Sequence, residues 1–232
     1  MKAPPLPLEE AQARLLALVE PLPIERVDVA SALGRYLAEP LLARRTNPGA
    51  DLSAMDGYAV QSGNLAGPWK VTGESAAGHP YGGTAGPGEA IRISTGAVMP
   101  QGADAVILQE DIARDGDTIA LTGEAPAPPG KHIRRQGMDF READVLLPAG
   151  TRIGPPQVAL AISGGHSHIA VRRRPRLAIV DSGDELAENF DSCGPHQVPA
   201  SNGAMLMALA ASVPCEAERL GPVADHMDEI AL

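Results

Sequence analysis

With only six aromatic residues in 232 (Trp69, Tyr36, Tyr58, Tyr81, Phe140 and Phe190), the chain has little material for stacking against bases or sugars. Cysteine is almost as scarce. Cys193 and Cys215 form neither a CxxC pair nor a zinc spacing, which suits free thiols in a reducing compartment. No apolar run approaches the roughly 18 residues that span a bilayer. The opening MKAPPLPLEEA lacks the apolar stretch of a signal peptide. These absences predict a soluble, cytoplasmic protein with no membrane partner. Positive charge is the minority sign. Nineteen Lys and Arg against 29 Asp and Glu leave a formal net charge of −10, which argues against nucleic acid as a partner.

Glycine and proline are plentiful. The 25 glycines and 22 prolines far exceed the usual combined share of about 12%, so the sequence predicts a turn-rich, strand-rich architecture. A hydrophobic content of 44% excludes wholesale disorder. The length, at about 150 residues per domain, allows more than one unit.

Along the chain, Leu8, Ala11, Leu15, Leu18 and Val19 recur at helical spacing and predict one amphipathic helix. Pro21 and Pro23 end it. Residues 25–29 alternate like a short strand, and 30–38 read as a second helix. From Thr46, turn signals such as Asp56-Gly57, Gly82-Gly83 and Asp115-Gly116 separate short β-type runs at 69–72, 90–93, 105–108 and 118–122. That texture predicts a small barrel or sandwich. Pro155 and Pro156 open a helix that Gly164-Gly165 closes. Residues 177–180 form a continuous apolar run, read as a strand buried on both faces. A helix over 202–211, a strand over 216–220 and a helix from Asp225 then suggest the start of a parallel α/β sheet. Two strands cannot cover such a sheet. The chain therefore reads as the N-terminal part of a longer architecture, or an unusual natural truncation.

Several eye-catching stretches carry bland readings. Gly130-Lys131-His132 lacks the spacing and the Ser/Thr of a phosphate loop. His166 and His168 have no third metal ligand. Arg172, Arg173, Arg174 and Arg176 suit a solvated linker. Ser182 lies outside a GxSxG elbow, and Cys193 sits in a polar loop.

The stretches that carry chemistry are Ser53–Val60 (SAMDGYAV), IRISTGAVMP around Thr95, ADAVILQED around Glu110, IRRQGMD over Arg134, Arg135 and Asp139, LPAGTRI, and SGDEL ending at Leu186. Taken alone, Asp56-Gly57 is a turn. Taken together, the six motifs resemble, in order and spacing, the molybdopterin molybdenumtransferases, including the E domain of gephyrin. The resemblance runs from Leu8 to Leu232. Asp181-Ser182-Gly183 stands where that family has Ser-Thr-Gly, and Pro199-Ala200 stands where it has aromatic and acidic residues.

The resemblance implies a mixed α/β, multidomain fold: a discontinuous N-terminal dimerisation domain (1–45 plus 140–175), an inserted β-rich module (46–139), and the start of a parallel α/β, molybdopterin-binding domain (176–232). It implies insertion of molybdate into adenylated molybdopterin with release of AMP, aided by Mg2+. Asp56, Thr95, Asp139 and Glu185 would be catalytic. Arg134, Arg135, Ser201, Asn202 and Asp225 would bind the pterin substrate, and Glu185 and Asp225 would hold the cation. Carboxylate oxygens suit a hard cation, and arginine's fork suits phosphate and molybdate oxygens. A homodimer is implied, with molybdopterin adenylyltransferase as pathway partner. Without the family's later glycine-rich loop and final β-domain, these 232 residues alone are expected to be inactive. The rival reading is a non-catalytic dimerisation or scaffold fragment.

Overall fold

A computed structural model describes residues 6–226. The described chain falls into two compact units. One takes the residues up to Leu41, Leu147–Ile162 and those from His166 onward; the other takes Leu42–Leu146 and Ser163–Gly165.

The second unit is built on one six-stranded mixed sheet. In spatial order its strands are Ala105–Leu108, Gly57–Val60, Glu89–Ile93, Trp69–Ser75, Thr118–Leu121 and Ile112–Asp115. All neighbours are antiparallel except the parallel pair Trp69–Ser75 and Glu89–Ile93. The two outermost strands do not pair with each other, so the sheet does not close into a hydrogen-bonded barrel. The four strand runs expected between the turn signals all form.

Strand alternation sends side chains to two apolar clusters. Tyr58, Val60, Trp69, Ala105, Ile107 and Ile119 gather in one. Ala59, Ile91, Ile93, Val106 and Ile133 gather in the other. Every residue of Gly57–Val60 is consequently buried, which explains an apolar strand without polar alternation. Gly57 is required here. Its backbone lies so close to the neighbouring strand that a Cβ would fall on the Ile107 carbonyl oxygen.

In the first unit, helix Leu8–Ala17 forms where the periodicity predicts, yet none of its residues is buried. Strand Ile24–Asp28 pairs antiparallel with His168–Arg172, and Val29, Ile153, Ala161, Ile169 and Val171 are among the buried residues of this unit. Arg35 is 6% exposed. Its guanidinium pairs with Glu25 and donates twice to the Arg172 carbonyl, at 2.6 and 3.2 Å. The helix expected over 30–38 is absent. A single 3-10 turn, Val29–Ala32, gives way at Gly34, whose φ is +80°. The Gly34 and Leu37 amides then donate to Ile153 and Thr151 carbonyls at 2.7 and 2.9 Å. Long-range backbone pairing thus overrides local propensity. Helix Pro155–Ser163 forms as expected and is followed by Gly165 at φ +92°.

The same unit contains a strand–helix–strand segment. Strand Arg176–Ser182 runs parallel to Glu216–Val223, and helix Ser201–Ala210 connects them. The expected two-sided burial of 177–180 is not observed. Leu177 is 40% and Val180 53% exposed, whereas Ile179 and Asp181 are buried. One neighbouring strand covers only part of such a run. Asp225 and His226 are the last described residues, so the helix expected from Asp225 lies outside the described residues.

Candidate functional site

The site residues of the second unit cluster where its strands end. Gly57 pairs with Ile93 on one side and Leu108 on the other. The three adjacent strands therefore bring the turn before Gly57 next to the segments after Ile93 and Leu108. Asp56, Thr95 and Gln109 meet there. Thr95 donates to Asp56 Oδ1 twice, from its backbone N–H at 2.7 Å and its hydroxyl at 2.9 Å. The Gln109 amide donates to the Asp56 carbonyl at 3.2 Å. Both side-chain bonds fall on Oδ1, leaving Oδ2 without a hydrogen bond among the described residues. The Thr95 N–H, then its hydroxyl, hold the Asp56 carboxyl below its ordinary range, with a smaller contribution from the Arg92 charge.

The supporting turn is tightly bonded. Buried Ser53 donates from its hydroxyl to the Met55 carbonyl at 2.6 Å. Its backbone exchanges bonds with Gly96 and Ala97 at 2.8 and 2.9 Å. Asp56 is thus an exposed carboxylate on a rigid platform, kept ionised and oriented by one threonine. It is an acceptor for a cation or an N–H group rather than an acid.

The expected cluster around IRRQGMD also forms, but with its charges already paired. Arg134 lies 3.2 Å from Asp139, which also accepts from the Asn47 side chain at 2.8 Å. Arg135 lies 2.6 Å from Asp51. Asp51 further accepts from the Gln136 amide at 2.8 Å, and that amide bond, with Arg135, lowers its pKa. All four charged side chains stay part-exposed, so each guanidinium keeps N–H groups open to solvent. The segments around Asn47–Asp51 and Arg134–Asp139 latch one another. Asn47 and Asp51 were missed in the sequence, where nothing about their turn signals a long-range partner.

In the first unit, Ser182 donates to Asp225 Oδ1 at 2.6 Å, and the Asp225 amide donates to Asp184 at 3.2 Å. The Glu185 carboxylate packs so closely over Gly183 that a Cβ there would meet its Oε2 at 2.6 Å. A short parallel pairing, Leu186–Ala187 with Val198–Pro199, ties this turn to the start of helix Ser201–Ala210. Ser201 and Asn202 are exposed in its first turn. Asp181 instead turns inward and pairs with Arg219 at 2.6 Å. Among the described residues, no three His, Cys, Asp or Glu side chains gather into a metal-holding group. Glu185 and Asp225, expected to hold the cation, are therefore part of no such group.

The Asp56 carboxyl gives a test of its surroundings. A lowered folded-state pKa stabilises the fold above the ordinary value of 3.8, and that contribution is lost as pH falls through the folded pKa. Thr95→Val removes the hydroxyl bond and keeps the N–H. We expect the Asp56 midpoint, read by carboxyl 13C NMR, to move up toward 3.8. An unchanged midpoint would mean that the hydroxyl bond is not formed in solution.

No described helix is long and apolar enough to cross a membrane. Residues 6–165 match the family model for the MoeA N-terminal region, domains I and II. A molybdopterin molybdenumtransferase from Haemophilus influenzae is 33% identical over 97% of this chain and 56% of its own length. Molybdopterin molybdenumtransferase 1 of Mycobacterium tuberculosis is 36% identical over 96% of this chain and 57% of its own. The crystal structure of the molybdopterin biosynthesis MoeA protein of Pyrococcus horikoshii OT3 superposes with a TM-score of 0.88 at 30% identity, covering 97% of this chain and 62% of that one. The chain thus spans somewhat over half the length of these relatives. The sequence motifs, the mixed α/β fold and these matches agree: the chain belongs to the MoeA family of molybdopterin molybdenumtransferases.

Proposed function

We propose that this chain forms part of an enzyme that inserts molybdate into adenylated molybdopterin, releasing AMP and yielding molybdenum cofactor. The observation that carries the reading is kinship over nearly the whole chain with proteins named molybdopterin molybdenumtransferase, at 33% and 36% identity. The geometry supports it. Asp56, presented by Thr95, is a fixed acceptor at the sheet end, and Asp139, Arg134 and Arg135 supply a charged surface in the same unit. Asp139 anchors Arg134 while both guanidiniums keep donors for oxyanions. Glu185 and Asp225 would serve the pterin-phosphate or cation side. Ser201 and Asn202 open the helix assigned to the pterin. Mg2+, if bound, supplies charge neutralisation for the phosphates. The domain arrangement of the reading is a discontinuous dimerisation domain, an inserted module and a parallel α/β domain. Reconstitution of an apo-molybdoenzyme by the full-length protein, given adenylated molybdopterin and molybdate, tests the proposal. Failure with intact protein would favour the scaffold reading.

The reading includes a homodimer, located in the cytoplasm and supplied with substrate by molybdopterin adenylyltransferase. Helix Leu8–Ala17 and its flank leave Leu8, Leu15, Leu16, Leu18 and Val19 between 65% and 79% exposed, an apolar stripe of the kind a second copy covers. Light scattering is expected to give twice the chain mass of 24.0 kDa. A monomer at high micromolar concentration would refute the dimer.

A further inference from the structure

Asp181 is 7% exposed and makes two directed contacts. Its Oδ1 accepts from the Gly203 amide at 2.9 Å, and its Oδ2 accepts from Arg219 Nε at 2.6 Å. The second arm of Arg219 donates to the Ala200 carbonyl at 2.8 Å. Gly203 lies in the first turn of helix Ser201–Ala210, where backbone amides have no partner within the helix. A Cβ on Gly203 would fall on the Asp181 carboxylate. Three elements thus converge on one carboxylate: the strand carrying Asp181, the helix start at Gly203, and the parallel strand carrying Arg219. An amide at a helix start beside a guanidinium is a socket for an anion. In this chain the anion is the protein's own.

We propose that Asp181 is a specificity-determining residue. Its carboxylate fills the Gly203–Arg219 socket, so the phosphate of a bound ligand cannot enter there and is directed to the exposed outer donors Ser201 and Asn202. The consequence for the pterin substrate rests on the proposed function. The occupancy of the socket does not, and the experiment below reads occupancy alone.

Asp181→Ala vacates the socket and leaves Arg219 partly buried without its counter-charge. Melting temperatures are compared in sodium chloride, sodium formate and sodium phosphate at matched ionic strength, using the 232-residue chain. Formate matches the deleted carboxylate in size; phosphate is the anion that a ligand would bring. Wild type is expected to respond to neither beyond the chloride control. Asp181→Ala is expected to melt lower and to regain about 2–4 °C with each anion, in a saturable way. Adding Arg219→Ala is expected to abolish both gains. Asp181→Ser, which keeps a hydroxyl acceptor for the Gly203 amide, provides the same comparison if the alanine variant is unfolded in chloride. An Arg219-dependent phosphate response in wild type overturns the proposal, because the socket would then be open. No response in either variant overturns it as well. A response to formate alone would show a socket too small for phosphate even without Asp181, and would also overturn the specificity role.

Discussion

Asp56→Asn in the full-length protein is expected to lower molybdate insertion by roughly a hundredfold or more while lowering the melting temperature only slightly. The asparagine oxygen can still accept both Thr95 bonds, at the 2.7 and 2.9 Å seen for Asp56 Oδ1, so the turn has no reason to rearrange. What is lost is the negative charge. A neutral amide is a weaker partner for a cation or a protonated group than a carboxylate. Reconstitution of an apo-molybdoenzyme reads the function, and calorimetry reads the fold. Insertion at a near wild-type rate would reduce Asp56 to a turn residue. A large fall in melting temperature would show that its charge serves the sheet end instead.

Gly57→Ala is expected to have the largest effect on the second unit. The added methyl would be driven into the Ile107 carbonyl, which belongs to the neighbouring strand and cannot rotate away as a side chain could. Gly57–Val60 lies between two strands and is buried throughout, so relief requires moving one strand of the core. Such overpacking costs about 3 kcal/mol, or a fall of about 6–12 °C in melting temperature for a chain of this size. Gly63→Ala is the control. Nothing lies within 4 Å of its added Cβ, and the change should stay within about 0.5 kcal/mol. Equal melting of the two variants would contradict the close strand approach at Gly57.

Where sequence and structure agree, local signals and long-range contacts pointed the same way. The strands Trp69–Ser75, Glu89–Ile93, Ala105–Leu108 and Thr118–Leu121 are bounded by turn residues and carry β-favouring side chains. The grouping of Asp56 with Thr95 was implied by the resemblance, while their 2.7 Å bond depends on which strands are neighbours. Residues 30–38 failed as a helix because Gly34 takes a positive φ and distant carbonyls capture the amides. Arg134 and Arg135 read as oxyanion donors beside Asp139; Asp139 pairs with Arg134, and Asp51 with Arg135. The Asp51 pair bridges 84 positions of sequence, and no periodicity encodes it. Asp181 was legible as an added acid, but its partners Gly203 and Arg219 were not. A helix glycine and a strand arginine give no sign of a common target until the strands are laid parallel.

The most direct test of molybdate insertion is AMP release by the full-length protein from adenylated molybdopterin, with and without molybdate. The account predicts that AMP appears when molybdate is supplied, in step with cofactor formation, and that Asp56→Asn suppresses both. AMP release that ignores molybdate, or survives Asp56→Asn at full rate, would contradict it.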